Sequence, residues 1–166
     1  MKPFYLLILV CIGLSARAQK IPPSIVWQKC LGGSKDERAY SVINAIDGGY
    51  IVAGLSHSND GDLTGHHGSA DNADAWVVKL SATGEKEWQR NYGGTGYDQF
   101  ISVIQTSDGN YFCFGFTSSS DGDVTGFHGN QDWWAVKIDR NGNIIWQKAL
   151  GGSRDEMGLN ARQFSD

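Results

Sequence analysis

Two polar, glycine-rich stretches carry the residues with the clearest capacity for chemistry. The chain reads HSNDGDLTGHHG at 57–68 and SSSDGDVTGFHG at 118–129. Each stretch contains an Asp-Gly-Asp triplet, and the four carboxylates are Asp60, Asp62, Asp121 and Asp123. Carboxylates at this spacing, with backbone carbonyls beside them, are oxygen ligands of the kind that Ca²⁺ binds. A site made of these loops would therefore be a calcium site.

A third carboxylate follows each loop, which extends the candidate calcium site to Asp74 in the first repeat and Asp132 in the second. Calcium is the one cofactor that the pattern suggests. Neither loop, however, carries the full D-x-[DN]-x-[DN]-G pattern and distal Glu of an EF-hand. The alternative is that these aspartates cap turns by accepting bonds from nearby backbone amides, with glycine supplying unusual φ angles. The sequence favours this alternative.

Two histidines and one tryptophan are the remaining candidates for ligand binding. His67 and His128 occupy the same position in the two loops, each before a glycine. A zinc site needs three or four ligands, so one recurring His per loop favours a structural hydrogen bond. Trp133 has Ala75 as its repeat counterpart, whereas the other tryptophans recur and are expected to pack between repeats. Trp133 is therefore the best single aromatic for a carbohydrate contact.

The elements that must position these residues follow from an internal repeat. The phrases WQKCLGGS, WQRNYGGT and WQKALGGS begin at Trp27, Trp88 and Trp146. Short alternating runs predict four strands in the first unit, at 40–46, 50–56, 75–80 and 85–92. The second unit matches them at 101–107, 111–117, 133–138 and 143–150. Tight turns such as Asp-Gly-Gly separate the runs, and no segment has a helical apolar period.

Four antiparallel strands per unit, repeated in tandem, predict an all-β fold made of β-propeller blades at 40–92 and 101–150. A closing strand is expected at 27–31, and 159–166 matches the start of a truncated third blade. Since propeller rings use about four to eight blades, the ring is incomplete. Successive loops of a blade alternate between its two ends, so the Asp-Gly-Asp loops and the Gly-Gly links are expected to share one face.

The repeat resembles that of a known group of proteins. The stretch GGSKDERAYSVINAIDGGYIVAGLSHSNDGDLTGHHG, with DAWVVKLSATGEKEW after it, is similar to the propeller repeats of large secreted proteins from Bacteroidota-type bacteria. Such proteins are often described as lipoproteins or as type IX secretion cargo. The resemblance covers 27–166. It implies a propeller, export and further blades in a full-length chain, of which this would be the N-terminal fragment.

The beginning of the chain has the features of an export signal. One Lys precedes an apolar run, and small residues stand before a predicted cleavage after Ala18. We therefore predict a signal peptide at 1–18, export through Sec, and an N-terminal segment at 19–26 before the repeats. The expected location is extracellular, on the cell surface or in the periplasm. The apolar run is too short to span a bilayer of about 30 Å.

Composition and motifs limit the function classes. The 166-residue chain has a formal net charge of −4 and no cluster of Lys or Arg, which argues against nucleic acid as a partner. The sequence contains no G-x-S-x-G, H-E-x-x-H, P-loop or dinucleotide fingerprint. Cys30 and Cys113 fall at non-equivalent repeat positions, so two unpaired, largely buried thiols are favoured over a disulfide.

These features predict an exported binding or scaffold module, with a surface glycan or a protein as partner. A site that recurs in every repeat suits binding better than catalysis, so the sequence leans towards a non-enzymatic role. The alternative is a fragment of a propeller enzyme acting on glycans, with its catalytic residues in other blades.

Overall fold

The structure is a computed structural model that describes residues 23–156, 158 and 160–163. The predicted signal peptide at 1–18 lies outside the described residues, as do parts of the segments 19–26 and 159–166. The first sheet contains β1 (Glu37–Asn44), β2 (Tyr50–Ser56), β3 (Asp74–Leu80) and β4 (Lys86–Tyr92). The second contains β5 (Asp98–Gln105), β6 (Tyr111–Thr117), β7 (Asp132–Ile138) and β8 (Ile144–Leu150).

The fold of the described residues is all-β, as predicted. Each sheet is a meander of four antiparallel strands in chain order. All eight predicted strands are confirmed, although β1 and β5 begin earlier than predicted, where Glu37 pairs with Ser56 and Asp98 pairs with Thr117. No helix among the described residues is long and apolar enough to cross a membrane.

A bulge near the start of the first strand of each sheet explains one glycine in the strand beside it. The register shifts between Phe100 and Ser102, where β5 pairs with β6. Gly115 lies opposite, and a Cβ there would overlap the carbonyl oxygen of Gln99. Gly54 is in the same position in the first sheet. The bulge brings the two backbones so close that only glycine fits.

The main core lies between the two sheets. Ile51, Ala53 and Val77 of the first sheet belong to one buried cluster with side chains from the second. The ring of Phe100 stacks on Trp134 with centroids 5.3 Å apart and an interplanar angle of 20°. Across the sheets, Tyr92 of β4 packs on Phe100 of β5 with ring centroids 5.7 Å apart. This contact and the shared cluster fix one sheet against the other, because burying aromatic and branched side chains is the main stabilising term in such a core.

The predicted closing strand at 27–31 stays a prediction, since the segment is irregular in the described residues and the blade that it would complete is not among them. A strand needs a neighbouring strand for its hydrogen bonds, and the described residues supply none at this position. The segment still packs on the first sheet: Trp27 lies edge-to-face with Tyr50 at 5.5 Å, and its ring borders Gly84. The described residues of 159–166 likewise form no strand.

Candidate functional site

The Asp-Gly-Asp loop of the first unit caps the Gly-Gly link that precedes β1. Asp60 accepts a hydrogen bond from the backbone amide of Ser34 at 2.8 Å, and Asp62 accepts a longer one from Gly32 at 3.4 Å. Lys86 also donates to Asp62 at 2.8 Å. The loop and the link therefore lie at the same end of the sheet, which confirms the predicted shared face.

The second unit repeats this capping between the two sheets. The backbone amide and hydroxyl of Thr95 donate to Asp121 at 2.7 and 2.9 Å, and Gly93 donates to Asp123 at 3.3 Å. The hydrogen bonds from Thr95 lower the pKa of Asp121, and those from Ser34 do the same for Asp60. These contacts match the turn-capping alternative.

The predicted calcium ligands do not share one set of partners. Asp74 and Asp132 are directed to histidines, whereas the Asp-Gly-Asp carboxylates bind the link. Among the described residues, no group of three or more His, Cys, Asp or Glu side chains is arranged to hold a metal ion. The calcium site remains a prediction from the sequence.

The recurring histidines form hydrogen bonds with buried aspartates. Nδ1 of His67 lies 2.8 Å from Oδ2 of Asp74, which also accepts the His67 backbone amide at 2.8 Å. His128 and Asp132 repeat both contacts at 2.9 Å. Burial raises the pKa of Asp74 to about 6, and the bonds from His67 oppose the shift. The pair therefore belongs to the architecture of each repeat.

A third buried carboxylate, Asp98, was not singled out from the sequence. Asp98 accepts Ser119 Oγ at 2.6 Å and the backbone amide of Gly94 at 2.9 Å. Burial raises the pKa of Asp98, and these bonds oppose that shift. Glu37 takes the equivalent place in the first unit, where Gly33 donates to it at 3.0 Å. An acid at a fixed distance after each Gly-Gly link was the signal that could have found them.

A polar cleft of about 290 Å³ lies between the two units. Its walls come from the loop 57–68, from β4, and from the turn between β7 and β8, with Asp123 from the second loop. His67 spans it, since its Nδ1 bonds to Asp74 while its Nε2 lies 4.0 Å from Oδ2 of Asp123. The sequence placed His67 and Asp123 in separate sites, and the structure brings them together.

Strand β4 is hydrogen-bonded to the turn between β7 and β8, and these bonds fix the wall of the cleft that this turn forms. Arg90 donates from Nε to the carbonyl of Asn141 at 3.1 Å and from Nη2 to Oδ1 of Asn143 at 3.1 Å. The hydroxyl of Tyr92 donates to the carbonyl of Gly142 at 2.7 Å. These bonds hold the guanidinium and the turn in place independently of any ligand.

Asn91 adjoins the cleft and breaks the repeat. Its side chain is 8% exposed, and neither amide atom has a hydrogen-bond partner among the described residues. Buried amides are nearly always bonded, so this one is unusual, although side-chain atoms of Asp74, Asp132 and Trp133 are also buried and unbonded. Its repeat counterparts are Cys30 and Ala149. That departure from an otherwise regular repeat was the sequence signal for this residue.

The aromatic candidates lie in packing positions. Trp134 is fully buried and Trp76 nearly so, and their indoles donate to Gln147 and Gln89 at 2.8 and 3.2 Å. Packing between the units is confirmed for Trp134, whereas Trp76 packs within the first unit, in a cluster that Leu31 borders. Trp133 lies edge-to-face with Phe114 at 5.9 Å and beside Gly158, with its indole nitrogen buried. Its carbohydrate role remains a prediction.

The two described cysteines are free, in agreement with the favoured expectation. Cys113 is buried, and burial raises the pKa of its thiol. Cys30 is exposed, so the expectation that both thiols are largely buried is wrong for this residue. The irregular segment around Cys30 explains the difference, because it covers the sheet without being covered itself.

Comparison with known proteins adds no assignment to this geometry. No protein-family model matches the chain, and no curated protein sequence is significantly similar to it. Any functional conclusion therefore depends on the repeat and on the residues of the cleft.

Proposed function

We propose that the chain supplies two blades of a β-propeller in an exported protein, and that its role is to bind a partner outside the cell without catalysing a reaction. The propeller arrangement is supported by the way in which one unit packs on the next. Trp88 of the first unit packs against the turn at Gly142 of the second, and Trp27 packs in the same way against Gly84. A repeated contact of this kind is what a series of blades requires.

The exposed faces support further blades of the same kind. Val103 faces the first unit and is 2% exposed, whereas its counterpart Val42, which no described unit covers, is 65% exposed. On the opposite side, Tyr92 is 2% exposed and its counterpart Leu150 is 40% exposed. Val42 and Leu150 are thus exposed, whereas their equivalents at the junction between the two units are buried. A neighbouring blade would bury both faces.

The polar cleft between the units carries the proposed binding role. Asp123, His67 and Arg90 bring a carboxylate, an imidazole and a guanidinium to the cleft, and hydrogen bonds to other residues of the protein hold these groups. The Asp–His pairs recur in both units, so they support a structural role better than a unique reactive centre. Groups of this kind, in a concave site, are typical of small-ligand recognition.

The binding role is tested with the full chain on an array of bacterial and host polysaccharides. Retention of the chain, with glycans recovered at unchanged mass by mass spectrometry, is the expected result. Shortened glycans would contradict the non-enzymatic role and support the alternative of a propeller enzyme. Retention on none of the glycans would contradict glycan binding.

A further inference from the structure

We infer that the outer face of the second sheet is a docking surface for a third repeat unit of this chain, and that one position in the first strand of each unit selects the face on which that unit packs. This selecting position holds Ala39 in the first unit, Phe100 in the second and Gly158 in the third. The inference rests on the proposed series of blades, and it adds the residues that determine the order of the units.

The outer face is the side of the second sheet that points away from the first unit. Because side chains alternate along a strand, the residues of β6, β7 and β8 that stay outside the cluster between the sheets lie here. The large apolar ones are Phe112, Phe114, Trp133, Trp146 and Leu150. Trp146 and Leu150 are 44% and 40% exposed, whereas Tyr92, the counterpart of Leu150 at the covered junction, is 2% exposed. The outer face is therefore an apolar sheet face that the described residues cover only in part.

A short segment after β8 already follows the second sheet in the way that β5 follows the first. The backbone amide of Glu156 donates to the carbonyl of Gln131 at 3.0 Å, and at the equivalent positions Asp98 donates to Ala73 at 2.7 Å. Two further bonds, each of 3.3 Å, continue this alignment: Ser102 donates to Asn160, and Gln163 donates to Ser107. The described residues of 156–163 thus take the place of a first strand beside the second sheet.

At the covered junction, the large residue comes from the first strand. Phe100 belongs to β5, and its ring lies 5.7 Å from that of Tyr92 in the first unit. The first sheet contributes Ala53 and Ala75 to the same buried cluster. Because protein interiors are close-packed, these small residues of the sheet leave the space that the ring of Phe100 fills.

At the outer face, the same positions have the opposite sizes. Phe114 and Trp133 stand where the first sheet has two alanines, and Gly158 stands where β5 has a phenylalanine. A Cβ at Gly158 would lie 3.2 Å from Trp133 and 3.3 Å from Phe114, which is closer than most Cβ contacts. Even alanine would therefore require the rings to move. A second copy of the chain would present Ala39 to this face, so the third unit of the same chain is the better fit.

Glu156 gives an independent indication of the third unit. Its Oε2 atom is shielded from solvent and has no hydrogen-bond partner among the described residues. Its counterparts Glu37 and Asp98 accept the hydroxyl groups of Ser56 and Thr117, at 3.1 and 2.5 Å, from the last residue of the second strand in their own units. Because buried polar atoms are nearly always bonded, we expect a Ser or Thr at this place in the third unit.

The size rule is tested by NMR spectroscopy of the isotope-labelled full chain and of three variants. In the unchanged chain, NOEs are expected between the α protons of Gly158 and the ring of Trp133. Gly158→Phe should abolish these NOEs and shift the indole resonance of Trp133. Adding Phe114→Ala and Trp133→Ala to Gly158→Phe restores the sizes of the covered junction and should restore NOEs between positions 158 and 133. Ala39→Phe makes a similar change on the face that no described unit covers, and it should leave the Trp133 resonances unchanged.

Several results would contradict the size rule. Absence of the NOEs from the unchanged chain, an unshifted Trp133 indole in Gly158→Phe, or no restoration in the folded triple variant would each overturn it. Melting curves show whether each variant is folded, and Gly158→Phe decides alone if the triple variant is not. Concentration-dependent shifts of Trp146 in the unchanged chain would make a second copy the occupant of the outer face.

The third unit itself is tested by extending the chain after residue 166 with a copy of residues 48–92, which complete the first unit. The copy supplies three strands and the hydroxyl group expected for Glu156. The indole of Trp88 donates to a turn of the next unit at 3.0 Å, so the indole of Trp146 is expected to do the same in the extended chain. Its hydrogen exchange should slow about tenfold or more, but not when the extended chain also carries Gly158→Phe. Equal protection with and without Gly158→Phe, or protection in neither, would overturn the docking of a third unit.

The outcomes also separate this inference from the proposed function. If the chain is retained on the polysaccharide array but the size rule fails, the rule is wrong and the binding role stands. If the rule holds and the chain is retained on no glycan, the reverse applies. Trp133→Ala should leave glycan retention unchanged, because the inference assigns Trp133 to a junction between units. Loss of retention in a folded Trp133→Ala variant would overturn that assignment and support the predicted carbohydrate contact.

Discussion

Replacing Val103 and Val42 with alanine, in separate variants, tests how the repeats pack. The two valines occupy the same position in successive units, but Val103 is 2% exposed and Val42 is 65% exposed. Val103 belongs to the cluster between the sheets, together with Phe100 and Trp134. The same substitution is thus made once at an occupied junction and once at an open face.

The magnitude for Val103→Ala follows from the groups that are removed. Losing two buried carbons costs about 1.6 kcal/mol, at about 0.8 kcal/mol for each. A residual cavity of about 40 Å³ adds about 1 kcal/mol at about 24 cal/mol per Å³. The free energy of unfolding should therefore fall by about 2–3 kcal/mol. Val42→Ala should change it by no more than about 0.5 kcal/mol, as exposed substitutions usually do.

The assay is urea unfolding of both variants, followed by tryptophan fluorescence and circular dichroism, with melting curves as a check. A chain of this size shifts its Tm by about 2–4 °C per kcal/mol, so Val103→Ala should melt about 5–10 °C lower. A cost near zero for Val103→Ala would refute the packing of the two sheets. Equal costs for both variants would show that the Val42 face is covered in solution, and sedimentation would then reveal self-association.

Three further substitutions and treatments have defined outcomes. Gly115→Ala should lower the free energy of unfolding by about 2 kcal/mol or more, because its Cβ overlaps the carbonyl of Gln99; a loss below about 0.5 kcal/mol in urea would contradict the bulge. Because burial raises the pKa of Asp74 from 3.8 to about 6, the folded chain retains a proton that the unfolded chain releases between these values. Wild type should therefore lose stability relative to Asp74→Asn as the pH rises through this range, by up to about 3 kcal/mol before solvent screening, and no further above it; a parallel pH dependence in denaturant titrations would contradict this. Chelation with EDTA should leave the Tm unchanged, since Asp60 and Asp121 already accept backbone amides; a lower Tm would instead support the calcium site.

The strands and turns could be predicted from the sequence because their signals are local. Gly48 has a φ of 85° and follows Asp47, whose side chain accepts the amide of Gly49 at 2.9 Å. That hydrogen bond joins residues two positions apart in the sequence, so the local sequence alone predicts the turn. The sequence also predicted that Asp60 accepts hydrogen bonds from nearby backbone amides, but only as one of two alternatives, the other being a calcium site. The Asp-Gly-Asp motif is the same in the sequence whether its carboxylates accept hydrogen bonds from backbone amides or bind a cation.

The cleft could not be predicted in the same way because its groups come from different units. His67 meets Asp123 only after the two sheets have packed, and Arg90 meets Asn143 across the same junction. Contacts of this kind depend on the angle and spacing of the sheets, which a periodic pattern does not specify. The strand at 27–31 stays a prediction for a related reason, because strand formation there depends on a neighbouring strand that the described residues do not contain.

The repeat itself explains which residues can be free for function. A residue present in both units, such as His67 with His128, is sufficiently accounted for by the contact that both copies make with an aspartate. Asn91 has no such account, because its counterparts lack an amide and its own amide has no hydrogen-bond partner among the described residues. An unsatisfied buried amide lowers stability, so Asn91 carries a cost that the repeat itself does not require. In a repeat protein, a deviation from the repeat therefore identifies a residue that the architecture of the blades does not explain.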